Sequence, residues 1–301
     1  MTARLSHLAR LESEAIHILR EAVAEARKPV MLFSAGKDST VLAYLALRAF
    51  FPGRPPFPLL HIDSTWEFQS LLDFRDGFAR EHRFELIVHA NEAARAAGLN
   101  PFDHGDRYTL EMRTEPLKAA LDQGGYDFVF GGARRDEEKS RAKERVFSVR
   151  SAGHVWDPRQ QRPELWNLYN TRLGKDQSAR VFPLSNWTET DVWTYALTHD
   201  IALAPLYFAA PRPVVERGGG LIVVDDEPRM RLRAGETVQT KTVRFRTLGC
   251  WPVTAAVESD AADLRSVVQE TLAATGSERQ GRISDGEDGS SLEQKKREGY
   301  F

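Results

Sequence analysis

The hydrophobic positions at the start of the chain recur in steps of three and four. Seven apolar residues share this spacing: Leu5, Leu8, Leu11, Ala15, Leu19, Ala22 and Ala26. The period matches one face of an α-helix, so the pattern predicts a first amphipathic helix. Pro29 ends this helix because proline has no backbone N–H group to donate. The apolar run at 30–33 then predicts a short buried strand.

Short apolar runs and helical spacing alternate through the first 130 residues. Strands are predicted at 30–33, 59–63, 86–89 and 128–130, and helices between them at 41–50, 66–80 and 110–121. This alternation predicts βαβ units, and therefore an α/β fold with a parallel twisted sheet and helices on both faces. Such sheets bind ligands beyond the carboxyl ends of their strands. The polar segments after residues 33, 62 and 130 are expected at that edge.

The pattern becomes less regular after residue 151. A helix is predicted at 188–199, a strand at 221–224 and a late helix at 260–274. The polar, glycine-dotted tail at 277–301 has the composition of a flexible segment. We therefore predict an α/β domain over residues 1–200 and a C-terminal extension over residues 201–301.

Composition and charge narrow the classes of function. The 301 residues contain 41 basic and 43 acidic side chains, and this balance argues against a nucleic-acid binder, which usually has a basic excess. The first residues lack the apolar core of a signal peptide, and no apolar run approaches the roughly 20 residues that span a bilayer. The single cysteine, Cys250, excludes an intramolecular disulfide and a cysteine-rich metal site. We expect a soluble cytoplasmic protein.

A polar heptapeptide separates the first predicted strand from the following helix. It reads Ser34, Ala35, Gly36, Lys37, Asp38, Ser39 and Thr40. Backbone N–H groups at a helix start are unpaired and partly positive, so they suit an anionic phosphate chain. Lys37 adds a cation, the hydroxyl groups add donors, and Asp38 is a candidate ligand for Mg²⁺. The alternative is a plain helix start at which Asp38 or Ser39 is the N-cap.

This heptapeptide is not a Walker A loop. Met31 stands where that motif has its first glycine, and Asp38 stands where it has serine or threonine. The arrangement instead resembles the Ser-x-Gly-x-Asp-Ser loop of the PP-loop ATP pyrophosphatases. In those enzymes the loop grips the β,γ-pyrophosphate as a leaving group and leaves the α-phosphorus open to attack.

An arginine-rich segment at 131–145 follows the fourth predicted strand, with six basic and four acidic residues. Guanidinium groups form charge-assisted hydrogen bonds with sulfate and phosphate oxygens. A solvated, salt-bridged helix is the usual meaning of such a run. Its position at the ligand-binding edge favours a binding role for Arg134, Arg135 and Lys139. Lys143 and Glu144 are predicted on the surface.

The chain resembles the small, catalytic subunit of the heteromeric bacterial sulfate adenylyltransferase, a PP-loop family related to phosphoadenylyl sulfate reductases. The matching segments extend almost from end to end. They lie at 29–32, 58–63, 100–105, 131–145, 162–166, 181–189, 243–252, 277–282 and 295–301. Ala35 departs from the isoleucine or glycine of relatives, and alanine is unfavourable there if the backbone needs a positive φ.

The resemblance implies that the protein makes adenylyl sulfate and pyrophosphate from ATP and sulfate in sulfate assimilation. It also implies Mg²⁺, a large GTPase partner that couples GTP hydrolysis, and a tail that orders at the subunit interface or over the site. The predicted nucleotide site is the heptapeptide with His61, Asp63 and Gly132. The predicted catalytic residues are Lys37, Arg134, Arg135 and Lys139, and the candidate sulfate ligands are Arg134, Arg135, Arg244 and Arg246. No nucleic acid or membrane partner is implied.

Three alternatives stay open at this stage. A phosphoadenylyl sulfate reductase needs a nucleophilic cysteine, which that family carries in a Glu-Cys-Gly tail, whereas Cys250 lies between Gly249 and Trp251. We interpret Cys250 as core packing. A PP-loop ligase that acts on an amide or tRNA is disfavoured by the near-neutral charge. A non-catalytic regulatory subunit would be separated from an enzyme by an ATP–pyrophosphate exchange assay.

Overall fold

A computed structural model describes residues 5–274 of the chain, and its centre is a six-stranded sheet. The strand order is β3-β2-β1-β4-β6-β5. The strands are β1 (Pro29–Leu32), β2 (Leu59–Ile62), β3 (Leu86–His89), β4 (Phe128–Phe130), β5 (Phe147–Arg150) and β6 (Ser178–Val181). The first four confirm the predicted strands. All neighbouring pairs are parallel except β5 and β6, which are antiparallel.

The sheet is parallel as predicted except at its edge, where β5 runs antiparallel to β6, a direction that the sequence pattern did not predict. A parallel pair needs a crossover connection, usually an α-helix, whereas the connection between β5 and β6 contains only 3₁₀ turns. The carboxylate of Glu164, within that connection, accepts hydrogen bonds from Val146 N at 3.0 Å and Phe147 N at 2.8 Å. These bonds satisfy backbone donors at the start of β5 that no further strand covers.

Nine α-helices lie within the described residues. They are α1 (His7–Glu25), α2 (Lys37–Phe50), α3 (Gln69–Glu81), α4 (Glu92–Ala96), α5 (Pro101–Thr109), α6 (Glu115–Gly124), α7 (Lys139–Ala142), α8 (Glu189–Thr198) and α9 (Leu264–Ala273). Strand side chains alternate between two apolar clusters. Met31 packs into the cluster that contains α1 and α2, while Val30 packs against Leu117 and Leu121 of α6. The helices therefore cover both faces of the sheet, as predicted.

The predicted helix at 110–121 is interrupted. Leu110–Thr114 forms a π-helical turn, and α6 begins only at Glu115. Pro116 lies in the first turn of α6 and has no N–H group, so the regular hydrogen bond to the preceding turn cannot form there. The wider turn places Arg113 and Thr114 beside the cavity described below.

A four-stranded closed barrel follows α8 in the chain. Its order is β10-β8-β7-β9, formed by β7 (Ala210–Arg217), β8 (Gly220–Val223), β9 (Gln239–Arg244) and β10 (Ala255–Glu258). Only β8 and α9 had been predicted, because prolines interrupt β7 and polar residues dominate β9. The predicted division at residue 200 stays a prediction. The tail at 277–301, with its two resemblance segments, lies outside the described residues, as do residues 1–4.

Within residues 5–274, no helix combines the length and the apolar character that crossing a bilayer requires.

Candidate active site

A cavity of about 280 Å³ lies at the carboxyl edge of the sheet, just below the usual size range of small-molecule pockets. Its wall comes from several parts of the chain: the end of β1 and the loop after it, the end of β2, the segment 67–71, the π-helical turn with Leu117, the arginine-rich segment, Tyr207 and residues 247–249. The polar residues of this wall are Ser34, Lys37, Asp38, Ser39, His61, Glu67, Arg113, Thr114, Glu137, Glu138, Arg141, Tyr207 and Thr247. The cavity thus lies where the alternation of strands and helices predicts a ligand.

The heptapeptide after β1 forms the start of α2. Gly36 is the N-cap and supplies no side-chain cap, and Asp38 and Ser39 lie inside the helix, so neither is the N-cap of the alternative interpretation. Ser39 Oγ donates to Gly36 O at 3.0 Å, which tightens the turn. Ala35 has a φ of 57°, the left-handed conformation that costs an L-residue about 1–2 kcal/mol. The backbone of Ala35 is therefore strained, although the methyl group of this residue is buried.

The first residues of α2 line the cavity. Among the described residues none accepts a hydrogen bond from the backbone N–H of Asp38 or Ser39, and both residues line the wall. The N–H of Lys37 donates to the hydroxyl oxygen of Tyr207 at 2.7 Å. Unpaired donors at the positive end of a helix dipole make a site for an anion.

Asp38 is held between two buried cations. Its Oδ2 lies 3.0 Å from Lys37 Nζ and its Oδ1 lies 2.7 Å from Arg134 Nε. Burial raises the pKa of this carboxyl group, but Lys37 and Arg134 outweigh it and lower the pKa to about 2. Asp38 is therefore ionised at any physiological pH and orients the two cations at the loop.

The surroundings of Asp38 do not suit a direct metal ligand. Each carboxylate oxygen already accepts a hydrogen bond from a cation, and Mg²⁺ at the same oxygens would be repelled by both. No group of three His, Cys, Asp or Glu side chains within residues 5–274 has the arrangement of a metal site. We therefore assign Asp38 to the ion pairs with Lys37 and Arg134.

Gly132 packs directly on the loop. A Cβ atom built there would lie 3.0 Å from the carbonyl carbon of Asp38 and 3.1 Å from Ser39 N. These neighbours are backbone or near-backbone atoms at the start of α2, so they cannot move without moving the anion site. The absence of a side chain at residue 132 is what lets β4 and α2 approach each other here.

We expect Gly132→Ala to weaken ATP binding about 10-fold or more, because the new methyl group pushes the N–H groups of α2 out of line. Equilibrium binding of ATP to the purified variant measures the effect. Gly77→Ala is the matched control, since Gly77 lies in α3 and has no atom within 4 Å of an added Cβ. Wild-type affinity in Gly132→Ala would contradict the close-packing role.

His61 supports the loop from β2. Its side chain is buried, and Nδ1 lies 2.9 Å from the carbonyl oxygen of Phe33, the residue before the loop. A carbonyl group only accepts hydrogen bonds, so Nδ1 carries the proton. Burial lowers the pKa of His61, with Arg75 adding to the effect and Glu67 opposing it. His61 is therefore a neutral residue that fixes the end of β1, and it also lies in the cavity wall.

The structure places the predicted site residues at different distances from the cavity. Ser34, Gly36, Lys37, Asp38, Ser39, His61 and Gly132 line the cavity, while Ala35, Thr40 and Arg134 are buried beside it. Asp63, Arg135, Arg244 and Arg246 are not part of the described wall. The side chain of Lys139 lies outside the described part of the structure.

The predicted site residues outside the cavity wall form hydrogen bonds and ion pairs elsewhere. Asp63 Oδ1 accepts a hydrogen bond from Thr65 N at 2.7 Å, and Arg135 Nη1 donates to Asn186 Oδ1. Arg244 Nε lies 3.0 Å from Glu270 Oε1, which ties β9 to α9. Arg246 Nη2 lies 3.0 Å from Glu189 Oε2 at the start of α8. The structure does not bring these side chains to the cavity.

Several wall residues were missed by the sequence reasoning. Arg113 and Arg141 supply cations, Glu67 an acid, and Tyr207 and Thr247 hydroxyl groups. Arg141 was visible inside the arginine-rich segment, and Thr247 lies in the segment at 243–252 that carries the resemblance. Arg113 and Tyr207 had no local signal, because neither belongs to a recognisable motif.

Glu144 corrects a prediction. It was expected on the surface, but its side chain is 4% exposed and its carboxylate pairs with Arg150 Nη2 at 2.5 Å. Arg141 lies 3.5 Å away on the other carboxylate oxygen. Glu144 is buried because the fold places two arginines against it.

Cys250 is buried behind the wall. Its sulfur accepts a hydrogen bond from Arg113 Nη2 at 3.0 Å and lies 3.2 Å from the Tyr108 oxygen, whose own O–H donates to the carbonyl oxygen of Ser64. Thr254 Oγ1 donates to the carbonyl oxygen of Cys250 at 2.8 Å, so the backbone here is also fixed. The side chain is held in the packed interior, consistent with its interpretation as core.

One family model and several relatives from bacteria match this chain. Residues 28–256 match the family model of the phosphoadenosine phosphosulfate reductase domain. The sulfate adenylyltransferase subunit 2 of Acinetobacter baumannii (strain AYE) is 60% identical over 99% of this chain and 98% of its own length. The protein of that name from Caulobacter vibrioides is 61% identical over 99% and 96%. That of Chelativorans sp. (strain BNC1) is 59% identical over the full length of both chains.

The solved structures offer only distant similarity. The crystal structure of phosphoadenylyl-sulfate reductase from Candida auris is 18% identical with a TM-score of 0.47, covering 68% of this chain and 93% of that one. A likeness of this size does not bear on function.

Proposed function

The chain belongs to the sulfate adenylyltransferase subunit 2 family, a family of nucleotidyltransferases, and we propose that it carries the catalytic site of that enzyme. The proposed reaction converts ATP and sulfate into adenylyl sulfate and pyrophosphate. The observation that carries the proposal is the start of α2, where the buried Lys37 and two residues whose N–H groups have no acceptor among the described residues line one cavity.

The proposed chemistry is a substitution at the α-phosphorus of ATP. A sulfate oxygen forms a new P–O bond, and the bond from the α-phosphorus to the bridging oxygen of the pyrophosphate breaks. Sulfate is already an anion at neutral pH, so no general base is needed. The barrier must therefore be lowered by positioning the reactants and by stabilising the charge that builds on the leaving group.

The α2 N-terminus and Lys37 suit the role of holding the departing pyrophosphate. Lys37 is 2% exposed and its ammonium group is oriented by Asp38, so its charge acts in a low-dielectric setting where it is poorly screened. Arg134 pairs with the other oxygen of Asp38. The negative charge of Asp38 is therefore shared between two cations, and it does not fully neutralise Lys37. The predicted roles of Arg134, Arg135 and Lys139 in catalysis stay proposals. The binding of Mg²⁺ together with ATP is also a proposal.

Sulfate must approach from the wall opposite the loop if its attack is to be in line with the leaving group. Arg113 and Arg141 are the arginines of the described wall, and we propose them as the sulfate-facing cations in place of Arg244 and Arg246. Each also has acidic neighbours, Glu67 for Arg113 and Glu138 for Arg141, which hold the guanidinium groups in position.

The partner and the compartment are part of the proposal. The relatives are named as a second subunit, and we propose that this chain assembles with a large GTPase subunit in the cytoplasm. Formation of the phosphate–sulfate anhydride from ATP is strongly unfavourable, so GTP hydrolysis by such a partner would supply the driving force for sulfate assimilation.

The test is to follow adenylyl sulfate and pyrophosphate from ATP and sulfate, with Mg²⁺, for this chain alone and with the large subunit, with and without GTP. We expect sulfate-dependent product that rises with the partner and with GTP. ATP binding without any product would favour a regulatory subunit. Consumption of adenylyl sulfate with a thiol reductant would instead support the reductase alternative and make Cys250 the first residue to replace.

A further inference from the structure

Tyr207 reaches the phosphate loop from a distant part of the chain. It ends the 3₁₀ turn Pro205–Tyr207, which follows α8, and its side chain is 1% exposed. The ring packs edge-on against Trp193 with centroids 5.3 Å apart. Phe245 N, just after β9, donates to Leu206 O at 2.9 Å and anchors the turn. The position of the Tyr207 hydroxyl is therefore fixed by the core and by the barrel.

The hydroxyl lies directly against the anion site. Its oxygen accepts the Lys37 N–H at 2.7 Å, and a Cβ atom added at Gly36 would lie 3.4 Å from it. Tyr207 also lines the cavity, together with Asp38 and Ser39, whose N–H groups have no acceptor within the described residues. A phosphate oxygen bound to those N–H groups would be a neighbour of the Tyr207 oxygen.

We propose that Tyr207 is a third ligand of the pyrophosphate group, donating its O–H to a phosphate oxygen while its oxygen accepts the Lys37 N–H. The inference rests on the proposed function, because it takes the loop as the pyrophosphate site. A hydroxyl group both accepts and donates and can rotate its proton toward a ligand. In this arrangement the Lys37 N–H donates to the Tyr207 oxygen, and the Tyr207 O–H in turn donates to the substrate.

The competing role is that of a simple cap. In that case the Tyr207 oxygen only satisfies the Lys37 N–H, and pyrophosphate must compete with it for the same donor. The two roles predict opposite effects of removing the oxygen. Loss of a ligand weakens pyrophosphate binding, whereas loss of a competing cap strengthens it or leaves it unchanged.

The decisive variant is Tyr207→Phe, which keeps the ring and its packing on Trp193 and removes one oxygen atom. Calorimetric titration of the full chain with pyrophosphate and Mg²⁺ should show a dissociation constant about 10- to 100-fold higher than that of the wild type, the value of a hydrogen bond to a charged group. Adenosine carries no phosphate, so its affinity should be unchanged. Tyr195→Phe is the matched control, because Tyr195 is buried in the same core but lies outside the described cavity wall.

An unchanged or lower dissociation constant in Tyr207→Phe would overturn the proposal. An equal loss of adenosine affinity would also overturn it, because a general distortion of the cavity would then explain the result. The readout is binding, so it separates this inference from the proposed function. Pyrophosphate binding that depends on Tyr207, in a protein that makes no adenylyl sulfate, would support the ligand and reject the reaction.

Discussion

Replacing Lys37 by alanine should lower the rate of adenylyl sulfate formation by at least about 10²- to 10³-fold, the usual effect of removing one preorganised charge-stabilising group. The ammonium group is buried at the loop and oriented by Asp38 at 3.0 Å. The other cation on Asp38, Arg134, cannot take its place, because it is fixed at 2.7 Å on the opposite oxygen. Initial rates of product formation by the two-subunit enzyme measure the loss.

The variant should remain folded, because Asp38 keeps Arg134 as a partner. Circular dichroism and a thermal unfolding curve check this directly. Lys37→Met fills the same space without the charge and should be equally inactive, which separates loss of charge from loss of packing. Lys241→Ala, in the barrel, removes a lysine that pairs with Glu216 and Glu258 and should leave the rate unchanged. Near-normal turnover in Lys37→Ala would reject the assigned role.

Replacing Glu144 by alanine should lower the free energy of unfolding by about 3–5 kcal/mol, the range found when one partner of a buried ion pair is removed. Arg150 is 3% exposed and would keep its charge in the interior without Glu144. Burial and the neighbouring Arg150 already lower the pKa of Arg180 to about 9, against the opposing effect of Glu144. Removing the acid leaves these guanidinium groups to repel one another.

Urea unfolding of the full chain, followed by tryptophan fluorescence, measures the effect. Glu144→Gln keeps an acceptor for Arg150 but no charge, and should lie between the wild type and the alanine variant. Glu216→Ala provides a control, because its carboxylate is 68% exposed and its pair with Lys241 is expected to contribute less than about 1 kcal/mol. A loss below about 1 kcal/mol in Glu144→Ala would mean that the buried pair is not needed for stability.

The sequence by itself determined the frame of the site. Strand and helix periods are local properties, so β1 to β4 and the helices α2 and α3 were predicted close to their observed bounds, whereas the short helices α4 and α5 were not predicted. The position of the heptapeptide after the first strand followed from the same alternation. Because carboxyl ends of parallel strands share one edge, the loop, His61 and Gly132 were expected near each other, and they line one cavity.

The sequence pattern did not determine which arginines face the cavity. Arg135, Arg244 and Arg246 resemble Arg113 and Arg141 in sequence, since each is one cation among several. Which of them faces the cavity depends on which carboxylates lie nearby after folding. Glu270 engages Arg244, and Glu189 engages Arg246, through contacts between residues 26 and 57 positions apart.

Only the tertiary structure decided the remaining features. The antiparallel direction of β5 and the barrel arise from pairings between separate segments, and local patterns do not specify them. Tyr207 meets Lys37 across 170 residues of chain, in a contact that no motif predicts. Glutamate is usually a surface residue, but Glu144 is buried because two arginines enclose it. Short-range periodicity determines the elements, whereas the partners of long polar side chains depend on the distances that packing creates.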